Sequence, residues 1–325
     1  MTLMHRRVLL FALALAGAAF AASPAGADGL PVLGIDVGPQ GVAARTAPIR
    51  YVTLPAKRAT LVARIDRNGG RVLGSRLLRG ALTIPAVAYD GSASGLSADG
   101  TTLVLIEPRV TFPRTETRFA ILDTQNLAVR RIVTLPGDFS FDAISPRGAW
   151  IYLIQYVAPN DPTRYAVRAL DTRSGLLAPT PVVDPHERGE AMRGSPVTRA
   201  TSANGRWAYT LYDGGGKTPF VHALDTRGRT ARCIDLDMLP ANADLSNTRF
   251  RLSSGAITVV RGGVPVANVD LTSFRVTELP PPTAPGAGGD DGFPVIPAAA
   301  VALALLLAAA ALTVAVRRGG RVAVN

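Results

Sequence analysis

Two short marks alternate along the middle of this 325-residue chain, and their spacing constrains the fold more than any other feature. The first is a turn of the form Ser-x-Asp/Asn-Gly or a variant of it: Ser97-Ala98-Asp99-Gly100, Ser145-Pro146-Arg147-Gly148, Ser202-Ala203-Asn204-Gly205 and the degenerate Ser253-Ser254-Gly255. The second is an apolar segment that ends in aspartate: Ile65-Asp66-Arg67, Leu122-Asp123-Thr124, Leu170-Asp171-Thr172, Leu224-Asp225-Thr226 and Val269-Asp270-Leu271. Successive aspartates stand 57, 48, 54 and 45 residues apart, and both Ser97 to Asp123 and Ser145 to Asp171 are 26 residues. Self-similarity at such a period is the signature of a repeat architecture.

Short apolar segments flank the marks. Thr102-Leu103-Val104-Leu105-Ile106, Trp150-Ile151-Tyr152-Leu153-Ile154, Trp207-Ala208-Tyr209-Thr210-Leu211-Tyr212 and Ile257-Thr258-Val259-Val260 each follow a turn. They are rich in β-branched or aromatic residues and too short for helices. Phe119-Ala120-Ile121-Leu122, Ala166-Val167-Arg168-Ala169-Leu170 and Val221-His222-Ala223-Leu224 lead into aspartates, and Arg131-Ile132-Val133-Thr134-Leu135 follows one. Nearly four strands therefore fit each unit of about 50 residues, and 32 glycines and 25 prolines supply the turns between them. A lone four-stranded sheet leaves a face and its edges uncovered, so each unit has to pack on its neighbours; radial closure removes long exposed edges. The fold expected is all-β, a β-propeller of five four-stranded blades, or six if the segment Leu30 to Leu54 supplies more than one missing strand.

The phrase Leu96-Ser97-Ala98-Asp99-Gly100-Thr101-Thr102-Leu103-Val104, followed by Phe119 to Thr124 and Arg131 to Leu135, resembles the YVTN-type propeller repeats that are related to WD40-like and TolB-like propellers. The resemblance covers Leu96 to Asp237 well and the outer units poorly. It implies a fold and not a function, because such propellers host enzymes, ligand binders and scaffolds alike. Arg147 departs from the pattern by replacing the acidic or amide turn residue.

The two ends of the chain carry different signals. His5-Arg6-Arg7, an apolar run from Val8 to Phe20 and small residues at Ala25-Gly26-Ala27 read as a secretory signal peptide over 1–27, with cleavage after Ala27 or near Ala21. Arg6-Arg7 is what the ordinary export route needs, although a twin-arginine reading is open, and no cysteine stands there for a lipid anchor. The run 293–316 holds 19 uncharged residues from Ala298 to Val316, enough at about 1.5 Å per residue to span the hydrocarbon layer. Arg317, Arg318 and Arg321 follow it and Asp290-Asp291 precede it, so the tail 317–325 is expected in the cytoplasm and the domain 28–279 outside. Between them, 280–292 is a Pro/Gly-rich linker, stiffened at Pro280-Pro281-Pro282.

The formal charge of +11 falls once the ends are set aside: five arginines leave with the signal and tail, so 30 basic residues face 24 acidic ones. Only Lys57 and Lys217 are lysines, and the arginines are scattered without a tight run or aromatic interleaving. Export also removes the chain from intracellular nucleic acid, which is therefore not an expected partner. An anionic envelope component stays open. The single cysteine, Cys233, excludes an internal disulfide framework, Cys-cluster zinc and a CxxC redox motif.

Strands alternate in direction, so the first and third turns of each unit emerge on one side and the second turns and crossovers on the other. The short, repeated Ser-x-Asp-Gly and Asp-Thr turns are expected to be structural, their side chains bonding nearby backbone. Binding is expected on the variable side, through Arg109 and Arg114 in the loop Pro108 to Thr117, Asp161 in Ala158 to Pro162, Lys217 after Gly214-Gly215-Gly216, and His186 and Glu187 in the excursion Pro179 to Arg199. No GxSxG elbow, Walker loop, HExxH helix or GxGxxG occurs, and no catalytic, cofactor or metal residues are assigned. His186 with Glu187 and Glu190 has donors for a divalent cation, but a polar loop gives the same letters. His222 is expected on a solvent or inter-blade surface of a strand, and Cys233 as a small core residue.

These readings converge on a membrane-tethered, extracytoplasmic propeller that binds a protein or another component of a bacterial envelope and is not an enzyme. A propeller hydrolase or lactonase is the competing class, and a small-solute sensor the third.

Overall fold

The computed structural model describes residues 41–280, apart from Arg188 and Glu190. The expected signal peptide, residues 28–40, the membrane span, the tail and all but the first residue of the linker lie outside the described residues. Among the described residues no helix is long and apolar enough to cross a membrane.

Five antiparallel sheets follow one another along the chain. The first holds β1 (Val42–Ala43), β2 (Ile49–Ala56), β3 (Ala59–Asp66) and β4 (Val72–Arg79), and the second β5 (Thr102–Ile106), β6 (Glu116–Asp123) and β7 (Val129–Pro136). The third holds β8 (Phe139–Ile144), β9 (Trp150–Tyr156) and β10 (Tyr165–Asp171). The fourth holds β11 (Pro196–Thr201), β12 (Trp207–Tyr212), β13 (Phe220–Asp225) and β14 (Thr230–Asp235), and the fifth β15 (Thr248–Leu252), β16 (Ala256–Arg261), β17 (Val264–Asp270) and β18 (Val276–Glu278). The chain is all-β over these residues, in sheets of three and four strands.

The two three-stranded sheets depart from the four-strand expectation for a local reason. Beside β5 the inner position is taken by single pairings, Thr83 with Ile106 and Leu96 with Leu103, because the chain leaves the ladder between them. Beside β10 the outer position is taken by Leu177 and Val182, on either side of Pro179 and Pro181. Proline has no N–H to give a ladder, so a continuous strand cannot form there.

The second, third and fourth sheets bury both faces at their centre, whereas β16 of the fifth alternates between buried and half-buried positions. All of β5 is buried, whereas β7 alternates between exposed and buried positions. Four apolar clusters join the sheets in series. Tyr51, Val62 and Leu78 of the first pack on Leu103, Leu105 and Leu122 of the second. Val104, Phe119 and Ile121 meet Phe141, Ile151 and Leu153 of the third. Tyr152 and Val167 meet Ala208, Tyr212 and Leu224 of the fourth. Tyr209, Val221 and Ile234 meet Ile257, Val259 and Val269 of the fifth.

The regular step between the two sequence marks has a hydrogen-bonded cause. The threonine after the aspartate donates its hydroxyl back to the glycine of the preceding turn: Thr124 Oγ1 to Gly100 O at 2.5 Å, Thr172 Oγ1 to Gly148 O at 2.7 Å and Thr226 Oγ1 to Gly205 O at 2.9 Å. First and third turns therefore share one side of each sheet, as the strand alternation requires. Glycine is needed at Gly148 because its φ is +70° and a Cβ would lie 2.4 Å from Thr102 Oγ1, on the neighbouring sheet.

Where the second sheet's inner strand is interrupted, the excursion from Pro85 to Ala93 reaches across to the fourth sheet. The Tyr89 and Asp90 N–H groups donate to Pro196 O and Val197 O, and Thr198 Oγ1 donates to Asp90 Oδ2 at 2.6 Å. Gly91, Ala93 and Ser94 then line a cavity of about 320 Å³ with Arg45, Arg199, Thr201 and the turn residues Ser97, Ala98 and Gly205. The inner turns of several sheets thus converge on one space.

Candidate functional site

The expected binding residues divide into a buried group and an accessible group. Arg109 and Arg114 belong to the first. Arg109 is 8% exposed and gives Asp138 Oδ1 two hydrogen bonds, from Nε at 3.1 Å and Nη2 at 2.8 Å, while Nη2 also reaches Ser140 Oγ at 3.0 Å. Its guanidinium lies 4.5 Å from the Tyr156 ring centroid and 5.6 Å from that of Phe112. Burial opposes the Arg109 charge, but Tyr156 and Asp138 outweigh it and its pKa stands above the ordinary value. Arg114 donates its backbone N–H to Asp138 Oδ2 and its side chain to Asp138 Oδ1, Glu107 O and Phe139 O. Burial lowers its pKa in spite of Asp138. Both arginines are thus consumed in holding the loop 107–115 onto Asp138, the residue by which the chain enters the third sheet.

The other four residues gather around the crossover from the third to the fourth sheet. Asp161, half-buried in the loop 157–164, accepts from Arg193 Nη2 at 2.5 Å and from Thr163. The Thr163 hydroxyl foremost, then Arg193, holds the Asp161 carboxyl below its ordinary pKa. Gly194 N–H donates to Thr163 O, and Ser195 N–H to Asp213 Oδ1 at 2.7 Å, so the crossover is tied to the second turns on both sides. Glycine has no substitute at Gly194, whose φ is +123° and whose Cβ would meet Gly214 N at 2.8 Å. Exposed Lys217 closes the second of these turns.

Between them lies a cavity of about 140 Å³, lined by Met192, Arg193, Lys217, Phe220, Cys233 and Asp235 among others. Bonded to the backbone of Cys233 is Asp184, a buried carboxylate that sequence reasoning did not single out. Asp184 Oδ1 accepts from His186 N–H at 2.8 Å and lies 2.9 Å from His186 Nδ1; Oδ2 accepts from Cys233 N–H at 2.9 Å. Burial would raise its pKa, but these N–H groups, the His186 ring and Arg232 Nε, 3.6 Å away, outweigh that and keep it low. His186 itself is exposed and also bonds Arg232. Glu187 is half-buried, and ligand atoms of Asp184, Glu187 and Cys233 lie within 4.8 Å of one another. Those three have the donors for a divalent cation; Arg232 already supplies positive charge beside them. Glu190, the remaining residue of the sequence cluster, lies outside the described residues.

Cys233 is half-buried, not fully in the core, because β14 is an outer strand; its sulfur stands 4.0 Å from Met192 Sδ. His222 is buried at 1% exposure on β13, with its ring edge-on to Tyr212. It takes no part in the loop cluster. The aspartates of the third turns serve their own backbone, Asp171 Oδ1 accepting from Arg173 and Ser174 N–H and Asp225 Oδ1 from Arg227 and Gly228 N–H.

No family model and no curated protein matches the sequence. Among solved structures, the chain is similar to the Cps50 (Swd1) β-propeller domain of Myceliophteria thermophila, at 12% identity and a TM-score of 0.41 over 74% of this chain and 64% of that one. It is similar to a prolyl endopeptidase at 12% identity and 0.43, over 75% of this chain but 36% of that one. It is similar to TolB of Acinetobacter baumannii at 15% identity and 0.34, over 71% and 57%. The chain thus spans less than two thirds of each of these proteins, and likeness at this level bears on neither its chemistry nor its partner.

Proposed function

We propose that the chain is a β-propeller of five blades, held outside a bacterial membrane by a single C-terminal span, and that it serves as a binding module for another component of the envelope. The observation that carries the binding role is the loop cluster at the third crossover. Three loops, 157–164, 183–195 and 213–219, are cross-tied through Asp161, Arg193, Gly194 and Asp213. Lys217 and Arg193 line a cavity there with an apolar wall of Met192 and Phe220; Asp161 holds Arg193, and Asp184, bonded to Cys233 of the same wall, holds His186. A rigid rim of mixed charge around an apolar patch is the usual anatomy of a protein recognition surface. Tethering adds to this by concentrating the domain near other envelope proteins.

The test is co-purification of the full chain from detergent-solubilised membranes after crosslinking in cells, comparing the natural protein with the triple variant Asp161→Asn/His186→Ala/Lys217→Gln. Loss of a crosslinked species with the chain still folded is the expected result; an unchanged set of crosslinked species rejects this surface. The competing class, a metal-dependent propeller enzyme, draws on the grouping of Asp184, Glu187 and Cys233. A stoichiometric divalent metal in the purified chain, lost in Asp184→Asn, would move the assignment there.

A further inference from the structure

The turns on the side of the molecule opposite the loop cluster are net positive, and those on the loop-cluster side net negative. The first and third turns, residues 44–48, 66–71, 97–101, 123–128, 145–149, 171–176, 202–206, 225–229, 253–255 and 270–275, hold nine arginines and six aspartates, a net +3. The second turns and crossovers, 57–58, 80–93, 107–115, 137–138, 157–164, 183–195, 213–219, 236–247 and 262–263, hold seven basic and nine acidic described residues, a net −2. The effective imbalance is larger than the count. Each of the six aspartates spends an oxygen on backbone N–H groups of its own turn, as in Asp66 with Asn68, Asp99 with Thr101 and Asp270 with Thr272. Among the described residues only Arg206 of these nine arginines has a carboxylate within 4.0 Å, that of Asp225. The exposed guanidiniums of Arg45, Arg67, Arg147, Arg173 and Arg227 have none among the described residues.

Three hollows open on this side, and each is edged by those arginines. The cavity where the inner turns converge has Arg45 on its wall, and partial burial there lowers the Arg45 pKa with no acid to offset it. A groove of about 460 Å³ lies between Arg45 and Arg67. A third hollow, of about 420 Å³, lies between Arg147 and Arg227 beside Trp150. They adjoin: Arg45 is common to the first two, and Pro146 of the third accepts a hydrogen bond from Asp99 N–H on the turn that lines the first. The Arg229 guanidinium lies over the Trp150 ring, 4.6 Å from its centroid.

We infer that this turn side is a second binding surface, a track of arginines through three adjoining hollows that takes a linear anionic polymer whose repeating group is a phosphate or a carboxylate. Arginine forks pair with either oxyanion in two-pronged fashion, and a polymer rather than a single anion matches charges spread along three adjoining hollows. The inference is independent of the tether and of the loop cluster.

The test is binding of the full chain in neutral detergent to inorganic polyphosphate and to poly-glutamate, by fluorescence anisotropy of the labelled polymer over a series of salt concentrations. Neutralised charges set the slope of log affinity against log salt, at about 0.7 per contact for a single-stranded polyanion. Arg45→Gln/Arg147→Gln/Arg227→Gln is expected to reduce that slope by about 2 and to weaken binding at low salt at least tenfold. The control, Lys57→Gln/Arg58→Gln/Arg79→Gln on the opposite side, removes the same charge and is expected to leave the slope unchanged. Preference for polyphosphate assigns phosphate as the repeating group, and preference for poly-glutamate assigns carboxylate. Binding of neither polymer, or an equal loss in the two triple variants, overturns the inference, and neither outcome touches the loop-cluster reading.

Discussion

Lowering the pH from 6.5 to 4 should weaken the fold through one residue, His222. The ring is 1% exposed, its Nδ1 has no hydrogen-bond partner, and its nearest aromatic neighbour, Tyr212, meets it edge-on with centroids 6.2 Å apart. Burial pushes its pKa down to about 4; Asp142 and Asp184 pull it up and Arg199 pulls it down, and burial wins. In the unfolded chain the same imidazole titrates near its ordinary value of about 6.5. Between those two pKa values the unfolded state binds a proton that the folded state does not, so stability is full above pH 6.5 and falls as pH drops. The slope is about 1.4 kcal/mol per pH unit, and the loss accumulates to about 3 kcal/mol at pH 4. The assay is urea unfolding of the full chain in detergent, followed by far-UV circular dichroism between pH 4 and 7.5, for the natural protein and His222→Leu. The carboxylates are common to both proteins, so the difference between the two curves isolates His222. It should be flat above pH 6.5 and change by about 3 kcal/mol below it; curves that run parallel to pH 4 would refute the argument.

Three further outcomes follow from buried polar contacts. Asp138→Ala leaves the Arg109 and Arg114 guanidiniums buried without their carboxylate, and should cost about 3–5 kcal/mol of stability by urea unfolding. Thr226→Val removes the hydroxyl that donates to Gly205 O and Arg206 O, and should cost about 1–2 kcal/mol, whereas the same change at exposed Thr101 should cost less than about 0.5 kcal/mol. Gly148→Ala places a Cβ against Thr102 at a positive φ; it should lower the melting temperature, and adding Thr102→Ala should restore only part of the loss because the backbone strain stays.

The repeat was legible because it is local chemistry. Serine, aspartate and glycine build a turn within five residues, and the threonine after the second aspartate bonds that turn's glycine, which fixes the 26-residue step seen twice in the sequence. The turn with Arg147 survives without an acid because Ser145 Oγ alone accepts the Trp150 N–H, and this frees the arginine to face solvent. What the sequence concealed was long-range. Arg109 and Arg114 look like loop cations until Asp138, 29 and 24 residues on, is brought beneath them. Asp184 sits in a run of polar letters, and only the pairing that lays Cys233 N–H on its carboxylate marks it out. The arginine side is the clearest case: Arg45, Arg67, Arg147, Arg173 and Arg227 are scattered along the chain, and the repeating fold collects their turns on one side.

The account rests on a sheet-built domain that stands on the outer side of a membrane and is anchored by its last residues. Right-side-out membrane vesicles carrying the full chain with a C-terminal epitope provide the direct measurement, by protease digestion with and without detergent. The account predicts that protease alone leaves a small epitope-bearing fragment of the span and tail, and that detergent removes it. A full-length chain that resists protease until detergent is added, or an epitope that is lost without detergent, would contradict it.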